Sequence, residues 1–156
     1  ADFVEAARPA LFQEEPEADD YVLRELLRDA ADKLCVMRVY PGMRADYLTA
    51  LVNAGVRFFI LELYDSGTAN LRDGPYSLKE ALAYGSRRGA KFFCTSQQEG
   101  LVDFSGYESS RSLWARGAVP MGGLCTESVY GLYMAASLIA ESDEEVASIM
   151  ESMAEA

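Results

Sequence analysis

Short apolar runs rich in β-branched and aromatic residues alternate with helix-like segments, and this alternation limits the chain to very few folds. Leu34 to Tyr40, Arg57 to Leu63, Lys91 to Thr95 and Ala118 to Met121 read as strands. Between the first two, Leu48, Leu51 and Val52 mark a helix closed by Gly55. Ser77 with Glu80 predicts a capping box for the next helix, which ends at Gly89. Tyr107 to Ala115 predicts another, closed by Gly117. Thr126 is expected to cap a helix running to about Ala140, and Ser142 with Glu145 to open a last one striped by Val146, Ile149, Met150 and Met153. Strand and helix in turn imply parallel strands joined by crossovers. The expected class is a three-layer α/β fold: a short parallel sheet of about four strands with helices on both faces, Rossmann-like or flavodoxin-like.

The 156 residues suit one compact domain of this class. Residues 34–156 carry the alternation. Residues 1–33 read as an acidic linker up to Glu17, followed by a helix with Tyr21, Leu23, Leu26, Leu27 and Ala30 on its apolar side.

A formal net charge of −11 argues against a nucleic-acid partner, because a phosphate backbone would be repelled. The most apolar stretch, Tyr130 to Ala140, is too short to span a membrane. Ala1 to Arg8 is acidic, so no secretory signal is expected there. Cys35, Cys94 and Cys125 are widely spaced, and the first two lie in strand-like runs, which suggests buried thiols in a reducing, cytoplasmic setting. The chain has no histidine, so the commonest general base and metal ligand are missing. No metal or cofactor is expected. No P-loop or dinucleotide fingerprint occurs.

Ligands of open parallel sheets bind at the carboxyl ends of the strands, near a reversal of strand order. Two expected loops there are polar. Tyr64 to Asn70 contains Ser66, Gly67 and Thr68, a glycine between hydroxyls followed by the Asn70 amide. Such a loop lets backbone approach a small ligand and offers donors and acceptors. The plainer reading is a surface turn whose polar side chains satisfy their own backbone. Thr95 to Gly100 offers Ser96, Gln97 and Gln98, whose paired amides suit a carboxylate or amide ligand. A nucleophile at Thr95 or Ser96 would need a neighbouring base, and no histidine supplies one.

Together these segments resemble the C-terminal domain of type I, cytoplasmic L-asparaginases of the asparaginase-glutaminase family. Val39-Tyr40-Pro41-Gly42 is similar to that domain's opening, and Phe59 to Asn70 to its strand followed by a Tyr-Gly-x-Gly-Asn type loop. Thr95 to Gly100 resembles its Ser/Thr-Gln-Cys-x-x-Gly segment, Tyr107 to Gly117 its Tyr-x-x-Gly-x-x-Leu-x-x-x-Gly helix, and Thr126-Glu127 the start of the following helix. The resemblance implies an amidohydrolase converting asparagine to aspartate and ammonia. The family's threonine nucleophile, second threonine, Thr-Asp aspartate and lysine all lie in its N-terminal domain, and none of those segments occurs here. No catalytic residue is therefore expected in this chain. What the resemblance implies for it is oligomer contacts, pairing with an N-terminal asparaginase domain, and binding of asparagine or aspartate at a substrate or regulatory pocket. Ser66, Gly67, Thr68, Asn70, Ser96, Gln97 and Gln98 would line it. Asn70 matches the family's loop asparagine if the loop is longer here, and Thr68 matches without a gap. Gln98 stands where the family often has cysteine, and Glu62 where some members have arginine near the regulatory pocket. A stand-alone amino-acid-binding module, or the equivalent domain of a tRNA-dependent amidotransferase subunit, are the alternative readings.

Overall fold

The computed structural model describes residues 18–154 other than 99, 103, 106 and 107, and the side chains of all of these except 18, 19, 66 and 109. The acidic arm expected before residue 18 lies outside the described residues, as does Tyr107.

Helix α1 (Ala18–Lys33) leads into β1 (Leu34–Arg38), α2 (Asp46–Asn53) and β2 (Phe58–Leu63). A single 3₁₀ turn (Asp65–Gly67) precedes α3 (Leu78–Arg87), β3 (Lys91–Ser96), α4 (Glu108–Trp114) and β4 (Ala118–Pro120). Helices α5 (Thr126–Ile139) and α6 (Asp143–Ala154) follow. The four strands are parallel and lie in sequential order, β1-β2-β3-β4. The expected class is thus the observed one. The order of these four strands does not reverse. A sequential order built from crossovers of one hand sends every connecting helix to the same side. Accordingly α2, α3 and α4 pack together on one face, and α1, α5 and α6 on the other.

The strand period of two divides the core. Phe59, Leu61, Leu63, Phe92 and Cys94 join Leu48, Val52, Leu78 and Leu82 under the first helical layer. Phe58, Ile60 and Phe93 join Val129, Tyr133 and Met150 under the second. Both faces of β2 and β3 are therefore dry, which explains their unbroken apolar runs. Gly85 of α3 lets the sheet come close: a Cβ there would lie 2.5 Å from Cζ of Phe92.

Several local expectations need adjustment. β1 stops at Arg38, two residues before the expected Tyr40. In α1, Ala30 is buried and Leu23 and Leu27 are half-buried, but Tyr21 is 70% and Leu26 46% exposed. The apolar stripe of α1 is wider than its seam with α5, so its flanks stay open. Cys94 is buried, Cys35 only half-buried and Cys125 exposed, and all three thiols are free. Ser142 does open α6: its Oγ accepts from Glu145 N at 3.2 Å, while the Glu145 carboxylate accepts at 2.7 Å from Glu141 N, one residue before the position a capping box uses. At α3 the Ser77 hydroxyl accepts from Lys79 N instead of from Glu80. Cys125 occupies the cap position of α5, and Thr126 is the first helical residue. No helix among the described residues is long and apolar enough to cross a membrane.

Candidate functional site

Two clefts open at the carboxyl ends of β2 and β3, and the two polar loops divide between them. The first cleft, about 430 Å³, is lined by Tyr64, Ala69, Asn70, Leu71, Arg72, Glu108 and Ser112. The second, about 350 Å³, takes Ser96, Gln97 and Gln98 with Glu62, Cys125, Thr126 and Glu127. Of the expected pocket residues, Asn70 lines the first cleft and Ser96, Gln97 and Gln98 line the second, while the side chain of Ser66 lies outside the description.

The Tyr64–Asn70 segment is largely satisfied by its own backbone. Tyr64 N donates to Thr68 O at 2.9 Å, and Gly67 N to Tyr64 O at 3.0 Å. The Thr68 hydroxyl donates to Asp65 O at 3.2 Å, and Asn70 Oδ1 accepts from Arg72 N at 3.1 Å. The last bond is an Asx turn. It uses the Asn70 carbonyl, while no hydrogen bond holds the Asn70 amide nitrogen among the described residues. Ser66 lies within the 3₁₀ turn. Gly67 has φ +77°, and a Cβ would fall 2.6 Å from Cγ1 of Val102 and 3.1 Å from Cε1 of Phe104. Ser110, buried in α4, donates to Gly67 O at 3.2 Å and pins the turn from below. Gly67 is therefore required by packing as well as by backbone conformation. Burial raises the Tyr64 phenol above its ordinary pKa.

In the second cleft, Thr126 does not cap its helix. Its hydroxyl donates to Glu62 Oε1 at 2.9 Å and lies 2.8 Å from the Thr95 hydroxyl. Arg38 Nε approaches the other Glu62 oxygen at 3.4 Å. A single network thus joins β1, β2, β3 and the first turn of α5. The Glu62 carboxylate at a helix N-terminus is also well placed for the helix dipole. Gln97 Nε2 donates to Val39 O and Glu62 O, tying three strand ends together. Those bonds occupy the amide donors, which leaves Gln98, exposed, and Ser96, half-buried, as the other loop side chains lining this cleft. Ser96 Oγ accepts from Gln98 N at 3.1 Å. Glu127 is held below the ordinary carboxylate pKa, first by its own backbone N–H and then by the Cys125 thiol. Among the described residues no group of three or more His, Cys, Asp or Glu is placed to hold a metal.

Reasoning from residue types missed the Glu62–Thr126–Thr95 network and the presence of Arg72 and Glu108 in one cleft. Thr126 carries the signature of a cap, and only the sheet's position turns its hydroxyl elsewhere. Arg72 and Glu108 sit on separate segments with no spacing signal between them.

No family model matches the chain, and no curated protein sequence matches it either. Solved structures do match. The thermostable L-asparaginase from Thermococcus kodakarensis superposes with a TM-score of 0.66 at 27% identity, over 76% of this chain and 35% of that one. The chain folds like part of an L-asparaginase. L-asparaginase I from Vibrio cholerae gives a TM-score of 0.65 at 23% identity, over the same shares of the two chains, a likeness of fold. The chain therefore spans about a third of the length of the asparaginases it resembles. Its structure is similar to bacterial and archaeal members of that family, and this supports an asparaginase-related domain role.

Proposed function

We propose that residues 34–156 act as the C-terminal domain of a cytoplasmic-type L-asparaginase, which hydrolyses asparagine to aspartate and ammonia. The observation that carries this reading is the likeness to the Thermococcus kodakarensis enzyme, at 27% identity over 76% of this chain. In this reading the domain docks on an N-terminal asparaginase domain and takes part in a homo-oligomer. It lends Ser66, Gly67, Thr68, Asn70, Ser96, Gln97 and Gln98 to a substrate or regulatory pocket. It supplies no nucleophile of its own. Its Thr95 hydroxyl is buried and committed to Thr126, and Thr126 to the Glu62 carboxylate, so neither hydroxyl is free to attack.

Ammonia release from L-asparagine by the purified 156-residue chain tests the proposal. No turnover is expected from the chain alone, and activity is expected once it is joined to a threonine-bearing asparaginase domain. Turnover by the chain alone, or failure of the two domains to associate, would overturn the assignment.

A further inference from the structure

We infer that two copies of this chain associate through β1, the two strands lying antiparallel across a two-fold axis at Val36. The geometry of the strand carries this, independently of the asparaginase reading.

The inward bonds of β1 fix which of its main-chain groups face outward. Val39 N donates to Glu62 O, and Lys33 O accepts from Arg57 N, both on the side of β2. Alternate residues of a strand point their N–H and C=O the same way, so Leu34, Val36 and Arg38 point theirs away from the sheet. Among the described residues these groups carry one hydrogen bond, the weak one from the Cys35 thiol to Val36 O at 3.8 Å. Sheet edges that stay free are commonly guarded by charge, proline or a covering segment. At its centre β1 has none of these among the described residues. Cys35, Val36 and Met37 are apolar in succession, and Val36 is 46% exposed. Open main chain beside an exposed β-branched side chain is what a further strand completes.

The strand is also complementary to itself. Placed antiparallel about Val36, each copy sets Val36 against the partner's Val36 and Leu34 against the partner's Arg38. Three N–H and three C=O groups on each copy then make six main-chain hydrogen bonds between the two. The two Val36 side chains meet on the face where Leu34 already packs into the second core, a favourable cross-strand pair. Arg38 comes beside the last turn of the partner's α1, because α1 runs directly into Leu34. That turn carries the exposed Asp32 and the negative end of the helix dipole, while Lys33 is already held by Asp29 and Asp143. The guanidinium thus meets opposite charge at both ends of the pairing. This match singles out a second copy as the occupant over an unrelated strand. The contact is isologous and consumes β1 of both copies, so association closes at a dimer.

Sedimentation velocity of the purified 156-residue chain over a concentration series tests this, and a monomer–dimer equilibrium is expected. Val36→Pro removes an outward N–H and leaves the bonds to β2 in place. It deletes two of the six bonds and should weaken dimerisation about tenfold or more. Val36→Lys and Val36→Glu each set like charges across the axis and should each sediment as monomers, whereas a mixture of the two should form dimers again. Circular dichroism confirms that each variant is folded. A chain that is monomeric at every concentration, or assemblies larger than a dimer, would overturn the inference. So would dimers that none of the three substitutions weakens, or a lysine–glutamate mixture that stays monomeric. Ammonia release and domain association judge the domain assignment, so either reading can fail while the other stands.

Discussion

The Thr126 hydroxyl gives its only proton to the Glu62 carboxylate, 2.9 Å away, so Thr95 must be the donor in its 2.8 Å bond to Thr126. Thr95 is fully buried. Thr126→Val would strand that buried hydroxyl and take a donor from Glu62, a loss of about 1–3 kcal/mol. Adding Thr95→Val to this variant removes the stranded group and should cost nothing further or restore stability. Urea unfolding of the two single variants and the double variant checks the order. A double variant as weak as the sum of the singles would contradict the relay.

Gln97 ties the ends of β1 and β2 to the loop after β3 by donating to two main-chain carbonyls. Gln97→Ala loses those bonds. Gln97→Glu at neutral pH also sets a carboxylate against the same carbonyls, and it should destabilise more than Gln97→Ala by about 1–3 kcal/mol. Chemical denaturation at pH 7 compares them. A milder effect from glutamate than from alanine would show that Gln97 acts by other means.

Two glycines with positive φ separate strain from packing. A Cβ at Gly42 meets nothing within 4 Å, whereas one at Gly67 runs into Val102 and Phe104. Gly42→Ala should lose about 1–2 kcal/mol from backbone strain alone. Gly67→Ala adds overpacking, about 1–3 kcal/mol more. Thermal melts of both variants give the difference, and equal losses would mean that the turn relaxes away from α4.

Tyr133 is buried in the second core and donates to Ala30 O at 2.8 Å. Burial is the main cause that raises its phenol from 10.0 to about 12. The folded state thus holds this proton more tightly than the unfolded chain. Its contribution to stability is complete below pH 10 and is lost as pH rises from there through about 12. Tyr133→Phe should flatten this part of the alkaline decline while lowering stability at neutral pH through the missing hydrogen bond. Denaturant midpoints from pH 8 to pH 12 follow both effects.

The layers of the fold were legible because period and punctuation agree. The apolar runs around Phe59 and Phe93 can only be strands covered on both faces, and Gly55, Gly89 and Gly117 close helices where expected. Ser142 opens α6 as its type suggests. The clefts were less legible, because a polar side chain has several local partners and sequence does not rank them. Thr126 looks like a cap and reaches instead for Glu62. Gln97 looks like a ligand contact and spends its donors on strand ends. Thr68 and Asn70 look available and are engaged within their own turn. Arg72 and Glu108 line one cleft only because α4 returns beside the loop that follows β2.

The sequential order of the strands leaves β1 and β4 as the two borders of the sheet, and they are not equivalent. Met121 N turns inward to Cys94 O, so the preceding residue, Pro120, faces outward at a position where it has no N–H to offer. β4 is also only three residues long. β1 has five residues, no proline, and a ladder whose outer side meets no strand among the described residues. An incoming strand thus finds a usable template at one border and a blocked one at the other, so the sheet can be extended in one direction only.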